Sequence, residues 1–195
     1  MTRKFKRREL ILAQASQLFM EKGFAATSLE DIAEAVGIRR ESLYYYYPGK
    51  YDLLYDIIEP QIAKVMAGFE KVIGQDTDIR TTIERGIANH LNHFNADYLH
   101  MAMAVRKNSR DEVEQKFAHL RRLFKDYENL WLVLLSTAQK ERHLQGHNIP
   151  PKMLAYSILG LCNSLSSWYK PDGEMSLDQI ARHYSRIILD GIAFA

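Results

Sequence analysis

Cysteine is almost absent: Cys162 stands alone among 195 residues, which excludes an intramolecular disulfide and fits a reducing compartment. No apolar signal segment follows the start, because Lys4, Lys6, Arg7, Arg8 and Glu9 occupy the place where one would begin, so a cytoplasmic protein is expected. Long apolar runs are also missing. The longest uncharged stretch, Met153 to Tyr169, carries Ser157, Asn163, Ser164, Ser166 and Ser167, and is too polar and slightly too short to cross a bilayer. It reads instead as a buried or partner-facing helix, with no membrane partner. There is no phosphate-cradling glycine loop and no Gly-x-Ser-x-Gly elbow, and Cys162 lies among small residues rather than activating ones. His90 and His93, with His100 nearby, could be imagined as ligands of a helical metal enzyme, the remote alternative. No neighbouring cysteine or well-placed carboxylate completes such a set, so neither metal nor catalysis is expected.

Net charge is small as well: 26 basic against 24 acidic side chains give +2. Its distribution says more than its sum. Residues 1 to 50 hold nine Lys/Arg and six Asp/Glu, with five of the basic residues packed before Glu9 and two more at Arg39 and Arg40. A basic cluster is either a solvated tail or an attraction for nucleic acid.

Periodicity separates these readings. Ile11, Ala15, Leu18 and Phe19 repeat at the spacing that lines one face of a helix, and Gly23 is placed to end it. A second helix is expected to start at Thr27 as N-cap, with Glu30 completing a capping box, and to bury Leu29, Ile32, Ala33 and Val36. After Gly37 a short helix is expected from about Arg39 to Tyr46, ended by Pro48. Two short helices joined through a glycine must dock on a third to be stable, which makes a helix-turn-helix supported by the first helix. Leu43 and Tyr47 can face inward with Ile38, leaving Arg39, Arg40, Ser42, Tyr44, Tyr45 and Tyr46 to divide the outer surface. Guanidinium groups, a hydroxyl and phenols can donate to phosphates and base edges, so this face suits a major groove. The other reading of consecutive tyrosines is helix-to-helix packing.

The ordered string Thr27-Ser28-Leu29-Glu30-Asp31-Ile32-Ala33-Glu34-Ala35-Val36-Gly37-Ile38, then Leu43-Tyr44-Tyr45-Tyr46-Tyr47, then Lys50 and Leu53-Leu54, resembles the DNA-binding region of the TetR repressor family. Ile11 to Phe24 fit the same pattern. Arg39 replaces the usual capping serine of the reading helix, and Glu41 a frequent glycine. The resemblance implies that Thr27 offers its hydroxyl and helix start to a phosphate, that Arg39, Arg40 and Tyr45 sit nearest base edges, and that Tyr44, Tyr46 and Lys50 clamp phosphates. Arg3 to Arg8 would form an arm adding nonspecific, salt-sensitive attraction.

The fold expected is all-α: a DNA-binding domain over residues 1–49 and an effector-binding and dimerisation domain over residues 50–195. The latter reads as a connecting helix from Lys50 to about Ile73 with a kink at Pro60, then helices over about Ile79 to Asn95, Tyr98 to Lys107, Asp111 to Arg142, Pro151 to Tyr169 and Leu177 to Ala193. A single reading head covers few base pairs, so a homodimer on a palindromic double-stranded operator is expected. Gly160, Ser164 and Trp168 with Tyr184, Ile187 and Ile188 are the interface candidates on the last two helices; a second capping box at Ser176 and Gln179 starts the last one.

Gly160-Leu161-Cys162-Asn163, followed by Trp168-Tyr169-Lys170-Pro171-Asp172-Gly173 and Met175-Ser176, is similar to a TetR subgroup of regulators of fatty-acid, sterol and aromatic-acid degradation, several of which respond to acyl-CoA thioesters. This implies a small hydrophobic effector of acyl-CoA type rather than a resident cofactor, the alternative being a TetR regulator of efflux or stress genes sensing another lipophile. Phe94, Met101, Met103, Phe117, Leu120, Phe124, Tyr127 and Trp131 could line its cavity or be plain core. Arg106, with Arg110, Arg121 and Arg122, could meet its phosphates or stay solvated. Effector binding would shift the connecting helix through Tyr51, Leu54 and Ile58.

Overall fold

The structure, a computed structural model, describes residues 3–93, 111–141, 149–170 and 172–191. Every regular element among them is a helix: α1 Arg3–Lys22, α2 Leu29–Val36, α3 Arg40–Tyr44, α4 Lys50–Ile73, α5 Ile79–Asn92, α6 Asp111–Lys140, α7 Pro151–Trp168 and α8 Leu177–Asp190. The chain divides into two compact units, changing from one to the other at Pro60/Gln61 within α4 and at Leu120/Arg121 within α6. The expected helix over 98–107 lies outside the described residues.

In the first unit α1 packs on α2 and α2 on α3, with Ile11, Ala15, Phe19, Ile32, Ala33, Val36, Leu43 and Tyr47 buried. These are the positions at which helical spacing repeats, so a stripe on each short helix finds its partner in the others. The second helix starts one residue later than expected. Ser28, not Thr27, is its N-cap: the Ser28 hydroxyl accepts from Asp31 N–H at 3.1 Å, and Ser28 N–H donates to the Asp31 carboxylate at 2.8 Å. Two capping frames overlap in the sequence, Thr27 to Glu30 and Ser28 to Asp31. Thr27 is taken out of contention because its hydroxyl turns inward, donating to the carbonyls of Gly23 at 2.9 Å and Leu18 at 3.1 Å. At the other end of α2, Gly37 adopts φ 70°. Its N–H donates to Glu34 O at 3.0 Å and that of Ile38 to Ala33 O at 2.9 Å, a Schellman closure that needs the left-handed conformation.

The reading helix α3 covers five residues rather than eight, and Arg39 caps it without a side-chain hydrogen bond, the structural consequence of an arginine where a serine would close the turn. The basic residues before Glu9 are not a separate arm. They lie in the first turns of α1. The connecting helix runs through Pro60 as one element. Within the first unit its opening turns bury Leu53, Leu54, Ile57 and Ile58, and α6 brings Phe117 edge-on to Tyr51 at 5.7 Å and His119 beside Tyr55.

The second unit is held by aromatic packing. Phe69 of α4 stacks on Trp131 of α6 with ring centroids 4.2 Å apart and meets Tyr127 edge-on at 5.8 Å. Gly86 of α5 makes this possible: a Cβ there would fall 2.6 Å from the Phe69 ring and 2.7 Å from that of Trp131. Ile83, Ile87, Leu91, Leu135, Ile158, Leu165 and Ile180 complete the core. The Ser176 and Gln179 capping box forms as expected, Ser176 N–H donating to Gln179 Oε1 at 2.8 Å, and α5 packs closely along α8.

Candidate nucleic-acid interface

Leu43 and Tyr47 anchor the reading helix from below, and their spacing decides what it shows above. Arg39, Arg40, Glu41, Ser42, Tyr44 and Tyr45 are exposed, Tyr45 most among the described tyrosines at 70%, while Tyr46 is half-buried and meets Tyr45 edge-on at 5.3 Å. The Arg40 guanidinium donates to the Tyr44 hydroxyl at 2.8 Å, lies over its ring, and is ion-paired with Glu30 at the first turn of α2.

Two residues expected on this surface serve the scaffold instead. Thr27 is 1% exposed, so its hydroxyl cannot reach a phosphate. The Lys50 ammonium spends its three donors on the carbonyls of Phe24 at 2.8 Å, Thr27 at 2.9 Å and Ala25 at 3.1 Å, and sits over the Phe24 ring. Partial burial holds its pKa below the usual lysine value. Lys50 thus ties the first turn of α4 to the loop between α1 and α2; an isolated lysine in sequence carries no sign of whether carbonyls or phosphates await it.

A second tie was not legible in the sequence. Arg8 Nη2 meets the Asp56 carboxylate at 2.6 Å, its Nε donates to the Tyr47 hydroxyl at 2.9 Å, and that hydroxyl donates to Asp56 at 3.2 Å. Burial pushes the Tyr47 phenol up to about 12, so it stays neutral and keeps its proton for Asp56. These three residues join α1, the end of the reading segment and α4 across 39 and 48 positions, a separation that periodicity cannot bridge. A groove of about 380 Å³ beside them is lined by Tyr46, Pro48, Asp52 and Tyr55 as well.

In the second unit the interface candidates separate. Gly160 is exposed with open space above it, and Trp168 and Ile187 are each 45% exposed. Ser164 and Ile188 are half-buried. Tyr184 is 9% exposed and belongs to the core of its own chain, its hydroxyl 3.3 Å from Ser164 Oγ. Exposed Met153 and Tyr156 extend the α7 face that Gly160 and Trp168 mark; their helical spacing was the signal that could have found them.

Of the effector candidates, Phe94, Met101, Met103 and Arg106 lie outside the described residues, as does Arg110. Phe117 and Leu120 are buried in the first unit, whereas Tyr127 and Trp131 are buried and Phe124 half-buried in the second. The Trp131 indole nitrogen is buried and faces the Tyr127 side chain. His90 is half-buried and hydrogen-bonded at both ring nitrogens: Nδ1 accepts from the Tyr127 hydroxyl at 2.9 Å and Nε2 donates to Asn163 Oδ1 at 3.2 Å. Desolvation lowers its pKa to about 4, so it is neutral, and both ring nitrogens are occupied within the fold. The Cys162 thiol is pushed up to about 12 by burial, which removes thiolate chemistry at neutral pH.

No helix among the described residues is long and apolar enough to cross a membrane. Residues 11–57 match the family described as bacterial regulatory proteins, tetR family, and residues 76–192 the tetracyclin repressor-like C-terminal domain. The HTH-type transcriptional repressor KstR2 of Rhodococcus jostii (strain RHA1) is 27% identical over 192 residues, covering 96% of this chain and 91% of that protein. The solved structure of the TetR family regulator PfmR from Thermus thermophilus superposes with TM-score 0.79 at 27% identity, over 94% of this chain and 99% of the other. AibR, solved in complex with isovaleryl coenzyme A and operator DNA, shares the fold with TM-score 0.80 at 19% identity, over 94% and 98%. With the reading head, its two scaffold ties and the matched regions together, the chain belongs to the TetR family of bacterial transcriptional regulators.

Proposed function

We propose that this regulator is a homodimeric repressor that holds a palindromic operator through paired reading helices and leaves it when an acyl-CoA thioester binds in the second unit. The observation that carries the DNA-binding part is the outward face of α3, where Arg39, Ser42 and Tyr45 project away from the buried Leu43 and Tyr47. Arg39 and Tyr45 read base edges; Ser42, Tyr44 and Tyr46 position the head on the phosphates. Gly160, Trp168 and Ile187, with Met153 and Tyr156, supply the exposed faces of α7 and α8 that a second copy would cover, setting the two heads one helical turn of DNA apart.

The effector class rests on the likeness of residues 160–176 to a TetR subgroup, several members of which respond to acyl-CoA thioesters, and the relative named a repressor supports the direction of control. The interior around Phe124, Tyr127 and Trp131 is aromatic, a surface suited to an acyl chain. A shift of about 1–3 kcal/mol between the DNA-bound and effector-bound arrangements would change operator occupancy by roughly 5- to 150-fold.

The test is a selection of bound genomic fragments followed by fluorescence anisotropy on the recovered duplex, with sedimentation measured in parallel. A dimer that binds one recurring sequence and releases it on addition of octanoyl-CoA or oleoyl-CoA, but not of free coenzyme A, is the expected result. A strictly monomeric protein indifferent to sequence would overturn the DNA-reading proposal. Release by none of a C4 to C18 acyl-CoA series would overturn the effector assignment alone.

A further inference from the structure

Glu30 is an acidic side chain where a DNA-reading surface would be expected to present only donors. It stands at the first turn of α2, the position at which a helix start attracts either a carboxylate or a phosphate. Its neighbour Asp31 is fully employed, capping Ser28 and pairing with Lys22 at 2.9 Å. Glu30 instead reaches across to α3 and takes Arg40 Nη1, while Arg40 Nη2 donates to the Tyr44 hydroxyl at 2.8 Å. The guanidinium is therefore held at both forks and lies over the Tyr44 ring.

We propose that Glu30 is a specificity-determining residue: it occupies Arg40 in the free protein and surrenders it only to a phosphate that arrives in register. This rests on the DNA-binding reading above. Both side chains of the pair are half exposed, and ion pairs of that exposure are weak in water, so a correctly placed phosphate can displace the carboxylate. On a nonspecific duplex, where the head sits loosely, Arg40 stays with Glu30, and the protein presents one cation fewer to the backbone. Nonspecific binding is almost wholly electrostatic, so it suffers most. The arrangement trades affinity everywhere for discrimination.

The experiment compares wild type, Glu30→Gln, Arg40→Gln and the double variant in the full chain, on a selected duplex and on a random duplex of equal length, over a salt series. Glu30→Gln should bind the random duplex about three- to tenfold tighter near 0.1 M salt, with log K against log[salt] steeper by about 0.9, one added phosphate contact. The selected duplex should gain less, so the specificity ratio falls. In the Arg40→Gln background the same change should leave the slope where it is. An equal gain in both backgrounds would overturn the proposal, because Glu30 would then act as a plain repulsive charge. Wild type that binds both duplexes while Glu30→Gln is indistinguishable from it would also overturn it, and the DNA-reading assignment would stand. Wild type that binds neither would remove both. Should Arg40→Gln fail to fold, Arg40→Met removes the charge while keeping the unbranched stem and serves the same comparison.

Discussion

The two units of this chain share edge-on aromatic packing, Phe19, Phe24, Tyr51 and Phe117 in the first and Phe69 with Tyr127 in the second, and differ in what is added to it. In the first, directional polar contacts fasten the short α3 and its neighbours: Lys50 on three carbonyls, and Arg8, Tyr47 and Asp56 on one another. In the second, longer helices close over stacked and edge-on rings, with Gly86 reduced to bare backbone so that Phe69 and Trp131 can meet. The contrast follows from size. A five-residue helix offers one or two core side chains, so its orientation must be set by hydrogen bonds, which are specific in direction. A helix of 30 residues can be positioned by packing, which is strong but less directional.

The contrast predicts where each unit breaks. Trp131→Ala should have the largest effect, about 3–5 kcal/mol, because it removes a fully buried ring and leaves a cavity against Phe69 and Gly86. Urea unfolding followed by circular dichroism would check it, and a loss below about 1 kcal/mol would mean that the second unit does not depend on its aromatic stack.

His90 is a titratable side chain packed against that aromatic core, and acid should expose it. Its pKa in the fold, about 4, lies below the 6.5 of a free histidine, so the unfolded chain binds the proton more readily. The stabilisation from keeping it neutral is complete above about pH 6.5 and is lost as pH falls toward 4, at about 1.4 kcal/mol per pH unit and on the order of 3 kcal/mol over the window. His90→Asn should flatten that part of a plot of melting temperature against pH. An unchanged slope would show that the imidazole is solvated.

Lys50→Met should cost on the order of 2 kcal/mol by stranding three carbonyls at the loop between α1 and α2. The diagnostic reading is the salt dependence of DNA binding. A scaffold role leaves the slope of log K unchanged while affinity for operator and random duplex falls together, whereas a phosphate contact would reduce the slope by about 0.9. Smallest is Tyr47→Phe, about 1 kcal/mol, since one hydroxyl leaves both Arg8 and Asp56 but their ion pair persists. Hydrogen exchange of the Leu43 and Tyr44 amides would report it, and unchanged protection there would place the fastening of α3 elsewhere.

These differences also explain what could be read in advance. The stripes at Ile11, Ala15 and Phe19 and at Ile32, Ala33 and Val36, the left-handed Gly37, and the inward pair Leu43 and Tyr47 follow from local spacing and backbone sterics, so they were visible in the chain. The choice between Thr27 and Ser28 as cap was not, because the two frames are locally equivalent and only the carbonyls of Leu18 and Gly23 settle which hydroxyl turns inward. Tyr184 follows the same helical period as Ile187 and Ile188, yet it lies in the core while Ile187 is exposed; a period names a face, and neighbours decide what covers it.

Sequence by itself determined the helical stripes of the described segments and the inward turn of Leu43 and Tyr47, because each depends on interactions within a few residues. Tertiary structure alone decided that Lys50 and Arg8 hold the scaffold rather than wait for DNA, and that Arg40 is claimed by Glu30. A charged side chain carries the same formal charge whatever it meets, and its partner is fixed only when distant segments are brought within a few ångströms.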